Sequence, residues 1–124
     1  MLLVIADKDP HELEVLRAGL TAPDREIIAF LDGDHVITLA RSRSPDVVVI
    51  GASLGHQGGL AVSYELKRMA DNGEITEPKV IVVLERQADS WLANWSRCDA
   101  YLVKPVDPAD LDAVMTDLTG APVG

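Results

Sequence analysis

The sequence predicts a doubly wound α/β domain, with a five-stranded parallel sheet in the order 2-1-3-4-5 and helices on both faces. Three observations carry this. Leu2-Leu-Val-Ile-Ala6, Asp46-Val-Val-Val-Ile50 and Val80-Ile-Val-Val-Leu84 are short, continuous apolar runs rich in β-branched residues. Such runs suit strands buried on both faces of a parallel sheet. Segments with helical spacing separate the strands, giving five strand–helix alternations that close with right-handed crossovers. A chain of 124 residues that is 48% hydrophobic builds one well-buried core, and its apolar runs are too short to span a bilayer.

The elements follow in order. Strand one covers 2–6, and Asp9 then caps a helix whose first turn holds Pro10. Leu13, Leu16 and Leu20 fall on one face of that helix, which Ala22-Pro-Asp24 breaks. Strand two covers 26–30, and Asp32-Gly-Asp34 forms a turn and cap. Val36, Ile37, Leu39 and Ala40 make a short second helix that Pro45 ends. Strand three is the run from Asp46 to Ile50, which leaves Gly51 as the first residue past it. The third helix covers about 59–70, with Leu60, Tyr64 and Met69 inward, and Asp71-Asn-Gly73 stops it. Strand four covers 80–84, a short helix 90–97, and strand five 101–103. Pro108 opens a last helix with Leu111, Val114, Met115 and Leu118 on one face. Residues 1–119 are expected to form the domain and 120–124 a tail or the start of a linker.

Composition narrows the function. The formal net charge is −9, so phosphate backbones repel the domain and direct nucleic-acid binding is not expected. The N-terminus has no basic flank before its apolar run, which reads as a strand and not a signal peptide. One cysteine, Cys98, excludes an internal disulfide and suits a reducing cytoplasm. The loop after strand one, Asp7 to His11, has no glycine, serine or threonine to cradle a phosphate, and no dinucleotide fingerprint is present. In the flavodoxin-like order the ends of strands one and three lie side by side. Asp7, Lys8 and Gly51 should therefore share a cleft with the loops after strands four and five.

Four stretches resemble the receiver domain of response regulators, the CheY-like fold. Ile5-Ala-Asp-Lys-Asp-Pro10 is similar to the family's acidic first loop, and Pro45-Asp-Val-Val-Val-Ile-Gly51 to its phosphoacceptor strand. Gly55-His-Gln-Gly-Gly-Leu60 keeps the length and closing glycine of the following loop. Tyr101-Leu-Val-Lys-Pro105 is similar to the fifth-strand signature. The resemblance covers residues 2 to about 119. It implies a phosphoryl-accepting aspartate at the end of strand three, held with Mg²⁺ by an acidic pair after strand one and a backbone carbonyl two residues past the acceptor.

The reactive positions differ from that pattern. The acceptor position is Gly51, which offers no nucleophile. The acidic pair maps to Asp7 and Lys8, the carbonyl to Ser53, and the hydroxyl at the end of strand four to Leu84. Mg²⁺ requires near-octahedral oxygen ligation, which this set supplies poorly, so no metal and no other cofactor is expected. Lys104 matches the family's phosphate-binding lysine and Tyr101 its switch aromatic. The Lys104-Pro105 bond resembles the family's cis peptide.

These departures imply a pseudo-receiver. Lys104 serves either as an anion binder or, preferably, as a structural ion-pair partner of Asp7, with Glu85 in reserve. Charges at a partly buried site are costly unless paired, so carboxylates should balance both Lys8 and Lys104. Tyr101 either rotates or holds one rotamer. Trp91 and Trp95 lie on one helical face, where one completes the core or both offer a partner surface. His11, His35 and His56 read as surface residues, and Cys98 as a small apolar side chain. Asp9-Pro-His11 matches the start of cobalamin-binding domains only by chance, since Glu14 replaces the expected glycine.

The expected function is a phosphorylation-independent signalling module of a two-component or phosphorelay system, and not an enzyme. Its protein partners would use the face formed by the fourth helix, fifth strand and fifth helix, with a homodimer as an open alternative. Two other readings remain: an active receiver with a displaced phosphoacceptor and Mg²⁺ at Asp7, and a small-ligand-binding flavodoxin-like domain.

Overall fold

In a computed structural model describing residues 1–54 and 58–120, five parallel strands form one sheet in the order β2-β1-β3-β4-β5. The elements are β1 (Leu2–Ala6), α1 (Pro10–Leu20), β2 (Glu26–Phe30), α2 (Asp34–Arg43), β3 (Val47–Gly51), α3 (Gly59–Asp71), β4 (Lys79–Leu84), α4 (Ser90–Trp95), β5 (Ala100–Val103) and α5 (Pro108–Thr119). A single 3₁₀ turn, Gln87–Asp89, precedes α4. The tail residues 121–124 and the loop positions Gly55, His56 and Gln57 lie outside the described residues. No helix among the described residues is long and apolar enough to cross a membrane.

The apolar strands divide their side chains between two cores because alternate residues point to opposite faces. Leu3, Ile5, Val47, Val49, Ile81 and Val83 meet Leu16 and Leu20 of α1 and Leu111 and Met115 of α5. Val4, Ala6, Val48, Ile50, Val80, Val82 and Leu84 meet Val36 and Ala40 of α2, Val62 and Leu66 of α3, and Ala93 of α4. This is why β1, β3 and β4 read as unbroken apolar runs.

Caps set the helix starts. The Asp9 carboxylate accepts from His11 N at 2.9 Å, with Pro10 in the first turn. The Asp107 carboxylate accepts from Ala109 N at 2.8 Å ahead of α5. Asp32 Oδ1 accepts from His35 N at 3.0 Å beside α2. Such bonds satisfy donors that the first turn leaves open.

The structure corrects several expectations. Gly51 is the last residue of β3, paired with Val83, and not the first residue past it. Asp46 lies just before β3, where its carboxylate accepts from Leu2 N at 2.7 Å. In α3 the buried residues include Val62, Leu66 and Met69, while Tyr64 turns outward. Its phenol favours an outer aromatic contact, and Val62 and Leu66 fill the inner stripe. The fourth helix stops at Trp95, because Arg97 takes a left-handed φ of 62°.

Candidate functional site

The parallel register delivers the carboxyl ends of β1, β3, β4 and β5 to one edge of the sheet. Ala6 pairs with Ile50, Gly51 with Val83, and Leu84 with Val103. Asp7, Glu85 and Lys104 follow directly from the ends of β1, β4 and β5, Gly51 closes β3, and Lys104 N donates to Leu84 O at 2.9 Å. The Lys104–Pro105 peptide is cis.

Asp7 dominates the cleft. It is 1% exposed, and its Oδ1 accepts from Asp9 N at 2.9 Å. Its Oδ2 lies 3.0 Å from Lys104 Nζ. No donor among the described residues is aligned on Oδ2, so the contact with Lys104 is an ion pair held by charge and not a well-directed hydrogen bond. Glu85 Oε1 accepts from Lys104 Nζ at 3.1 Å. One ammonium thus lies between a buried carboxylate and a half-exposed one. Burial alone would lower the Lys104 pKa, but the Asp7 and Glu85 carboxylates outweigh it and the net shift is upward.

Gly51 explains where the Asp7 carboxylate goes. A Cβ built on Gly51 would stand 2.5 Å from Asp7 Oδ2 and 3.1 Å from its Cγ. The Asp7 side chain therefore occupies space that any other residue at 51 would claim. Gly59 is the more strictly required glycine, because a Cβ there would run into the backbone carbonyl of Gly51. Gly59 N donates to Ala52 O at 2.9 Å, which brings the start of α3 down onto the end of β3.

The other sequence-selected residues divide. Leu84 is buried in the core on the α2–α3–α4 side. Ser53 is half-buried in the loop after β3. Lys8 is exposed and makes no ion pair among the described residues, contrary to the expectation that a carboxylate balances it. In solvent its ammonium needs none. Tyr101 is partly exposed at the sheet edge, where its hydroxyl accepts from Gln87 Nε2 at 3.2 Å. Trp91 and Trp95 are both exposed, so neither completes the core. Asp46, the alternative acceptor, lies at the opposite end of β3 from Gly51. His11 and His35 are exposed, and Cys98 is half-buried against the core, where burial raises its thiol pKa.

Sequence reasoning missed a buried polar group between α3 and the segments leading into β4 and β5. Lys67, only 3% exposed, donates to Asp99 Oδ2 at 2.7 Å and to Pro78 O at 3.0 Å. Asp99 Oδ2 also accepts from Val80 N at 2.7 Å. Ser63 Oγ donates to Ser96 O at 3.0 Å. These bonds fasten α3 to the segment after α4. The visible signal was a lysine at an inward helical position, next to Leu66 and two residues before Met69.

Comparison with known proteins adds the context. The chain is 30% identical over 127 residues to an uncharacterized response regulatory protein of Mycobacterium tuberculosis, covering 98% of this chain and 92% of that one. Among solved structures it resembles the Thermotoga maritima response regulator TrrA in complex with Mg²⁺-BeF, at 22% identity and a TM-score of 0.80, covering 94% and 97% of the two chains. It also resembles a chain in the Saccharomyces cerevisiae complex of the histidine phosphotransfer protein Ypd1 with the Ssk1 receiver domain. That match has 12% identity and a TM-score of 0.85, covering 95% and 88%. No family model matches the sequence.

Proposed function

This chain belongs to the receiver-domain family of response regulators, and on that premise we propose that it is a pseudo-receiver: a signalling module of a two-component or phosphorelay system that works without phosphorylation, through protein–protein contacts. The observation carrying this reading is the Asp7 carboxylate, which fills the space beside the Cβ-less Gly51 and faces Lys104 at 3.0 Å. A phosphoryl-accepting site needs a nucleophile at that point and an uncommitted cation for the incoming charge. Here the nucleophile is missing and the cation already has two carboxylates.

The magnesium that the family implies does not fit this donor set. Asp7 Oδ1 is taken by the Asp9 amide and Oδ2 by the Lys104 ammonium. Lys8 supplies positive charge where a second acidic ligand is needed, and Gly51 supplies no ligand oxygen from a side chain. Mg²⁺ needs hard oxygen donors free to approach in near-octahedral geometry.

The resemblance to a receiver solved with a phosphotransfer protein supports a protein partner. We assign that contact to the face of α4, β5 and α5, where Tyr101 is 38% exposed and tethered to Gln87. A cytoplasmic setting and the absence of enzymatic chemistry belong to the same reading.

The test is intact-mass measurement after incubation with acetyl phosphate and Mg²⁺. The reading expects no mass increase of one phosphoryl group. An acid-stable, base-labile adduct on any aspartate contradicts it.

A further inference from the structure

The short helix α4 exposes two tryptophans, Trp91 at 65% and Trp95 at 53%. Four residues apart, they share one helix face. Trp95 stacks on Tyr64 of α3, with ring centroids 5.1 Å apart and planes 15° apart. Tyr64 is itself 40% exposed. The aromatic ridge therefore bridges α3 and α4, and among the described residues it shares no ring stack with Tyr101, whose hydroxyl meets Gln87.

Two arginines lie close in sequence to the ridge, Arg68 one helical turn after Tyr64 on α3 and Arg97 two residues past Trp95. Each already has a carboxylate. Arg68 donates to both oxygens of Glu65, at 2.9 and 2.6 Å. Arg97 donates to Asp71 Oδ2 at 2.7 Å. The ridge thus presents both signs of charge side by side. By contrast α5 carries Asp110, Asp112 and Asp117 behind its Asp107 cap and no cation. In a chain of net charge −9, two copies meeting through α5 would set like charges against each other. Two copies meeting through the ridge could set each arginine near the other copy's carboxylates.

We propose that the Tyr64–Trp91–Trp95 ridge is the interface of a two-fold homodimer, with a second copy of this chain as its occupant. An isologous contact requires a patch complementary to itself, and alternating arginine–carboxylate pairs around an apolar centre meet that requirement. Tyrosine, tryptophan and arginine are the residue types that carry most interface energy. The Ser63–Ser96 and Lys67–Asp99 bonds fasten α3 to the segment directly after α4. The patch is therefore preorganised, and little side-chain ordering opposes association. The dimer stands independently of the chemistry of the cleft.

Sedimentation velocity from micromolar to millimolar chain concentration tests this. Wild-type protein should dimerise, with tryptophan emission moving to shorter wavelength as the dimer forms. Trp91→Ala, which removes no ring stack among the described residues, should raise the dimer dissociation constant by about tenfold or more. Arg68→Glu should raise it as well, by setting like charges against each other. Tyr101→Ala should leave it unchanged. Each variant is first checked for a wild-type far-ultraviolet circular dichroism spectrum. A chain that stays monomeric at millimolar concentration overturns the proposal. So does a dimer that survives Trp91→Ala and Arg68→Glu but is lost in Tyr101→Ala.

Discussion

Asp7 and Lys104 set the chemistry of the cleft at the scale of single residues. Asp7 is buried with one oxygen facing an ammonium that is shared with Glu85. Removing Asp7 leaves Lys104 in a low-dielectric site with Glu85 as its remaining carboxylate. Asp7→Ala should therefore cost about 2 kcal/mol, less than the loss of a buried pair with no alternative partner. Asp7→Ala/Lys104→Met should recover part of that loss, and chemical denaturation of the two singles and the double measures the coupling. The pH dependence has a definite sign. The Lys104 pKa is raised in the folded state, so its contribution is fully present below the ordinary lysine value of 10.5 and is lost as pH rises through the folded value. The stability difference between wild type and Lys104→Met should be constant across neutral pH and shrink above pH 10.5. A difference that shrinks on going from pH 9 to pH 6 would contradict this ion-pair account.

At the scale of elements, α4 is held mainly by polar bonds and one buried alanine. The Lys67–Asp99 pair, which ties α3 to the segment between α4 and β5, has two ends buried unequally: the Lys67 side chain is 4% exposed and that of Asp99 22%. Asp99→Ala strands a buried ammonium with only the Pro78 carbonyl and should cost about 3 kcal/mol. Lys67→Met leaves a carboxylate that keeps the Val80 amide and some solvent, and should cost about 1 kcal/mol. Thermal unfolding of both variants checks the order, and equal costs would contradict the burial argument. The strands were legible in the sequence because both faces of β1, β3 and β4 are apolar, leaving no phase to misread. Helix α3 was harder. Tyr64 at helical spacing reads as core, whereas the inner face is filled by Val62, Leu66 and Met69 together with the aliphatic stem of Lys67. That lysine is inward only because Asp99, 32 residues later, meets it. A pairing across such a distance leaves no local trace. The exposure of both tryptophans was equally hidden, since one helical face with two aromatics reads the same whether it packs inward or outward.

The whole molecule converges four strand ends on one cleft, where the Lys104 ammonium lies between the carboxylates of Asp7 and Glu85. The cleft's members were legible, because strand order and the resemblance together bring Asp7, Gly51, Glu85 and Lys104 to one edge. The position of the Asp7 carboxylate in the Gly51 side-chain space was not, since it depends on the spacing between β1 and β3 in three dimensions. That detail sets what restoring the missing acceptor can achieve. The Cβ of an aspartate at 51 would stand 2.5 Å from the present position of Asp7 Oδ2, so the Asp7 carboxylate must shift to admit it. Leu84 still offers no hydroxyl, and Lys8 still opposes a metal. The most direct measurement is the intact mass of Gly51→Asp, with wild-type circular dichroism, after incubation with acetyl phosphate and Mg²⁺. The account predicts no phosphoryl adduct. Ready phosphorylation of the new aspartate would show an intact receiver lacking only its nucleophile, and would contradict the self-satisfied cleft.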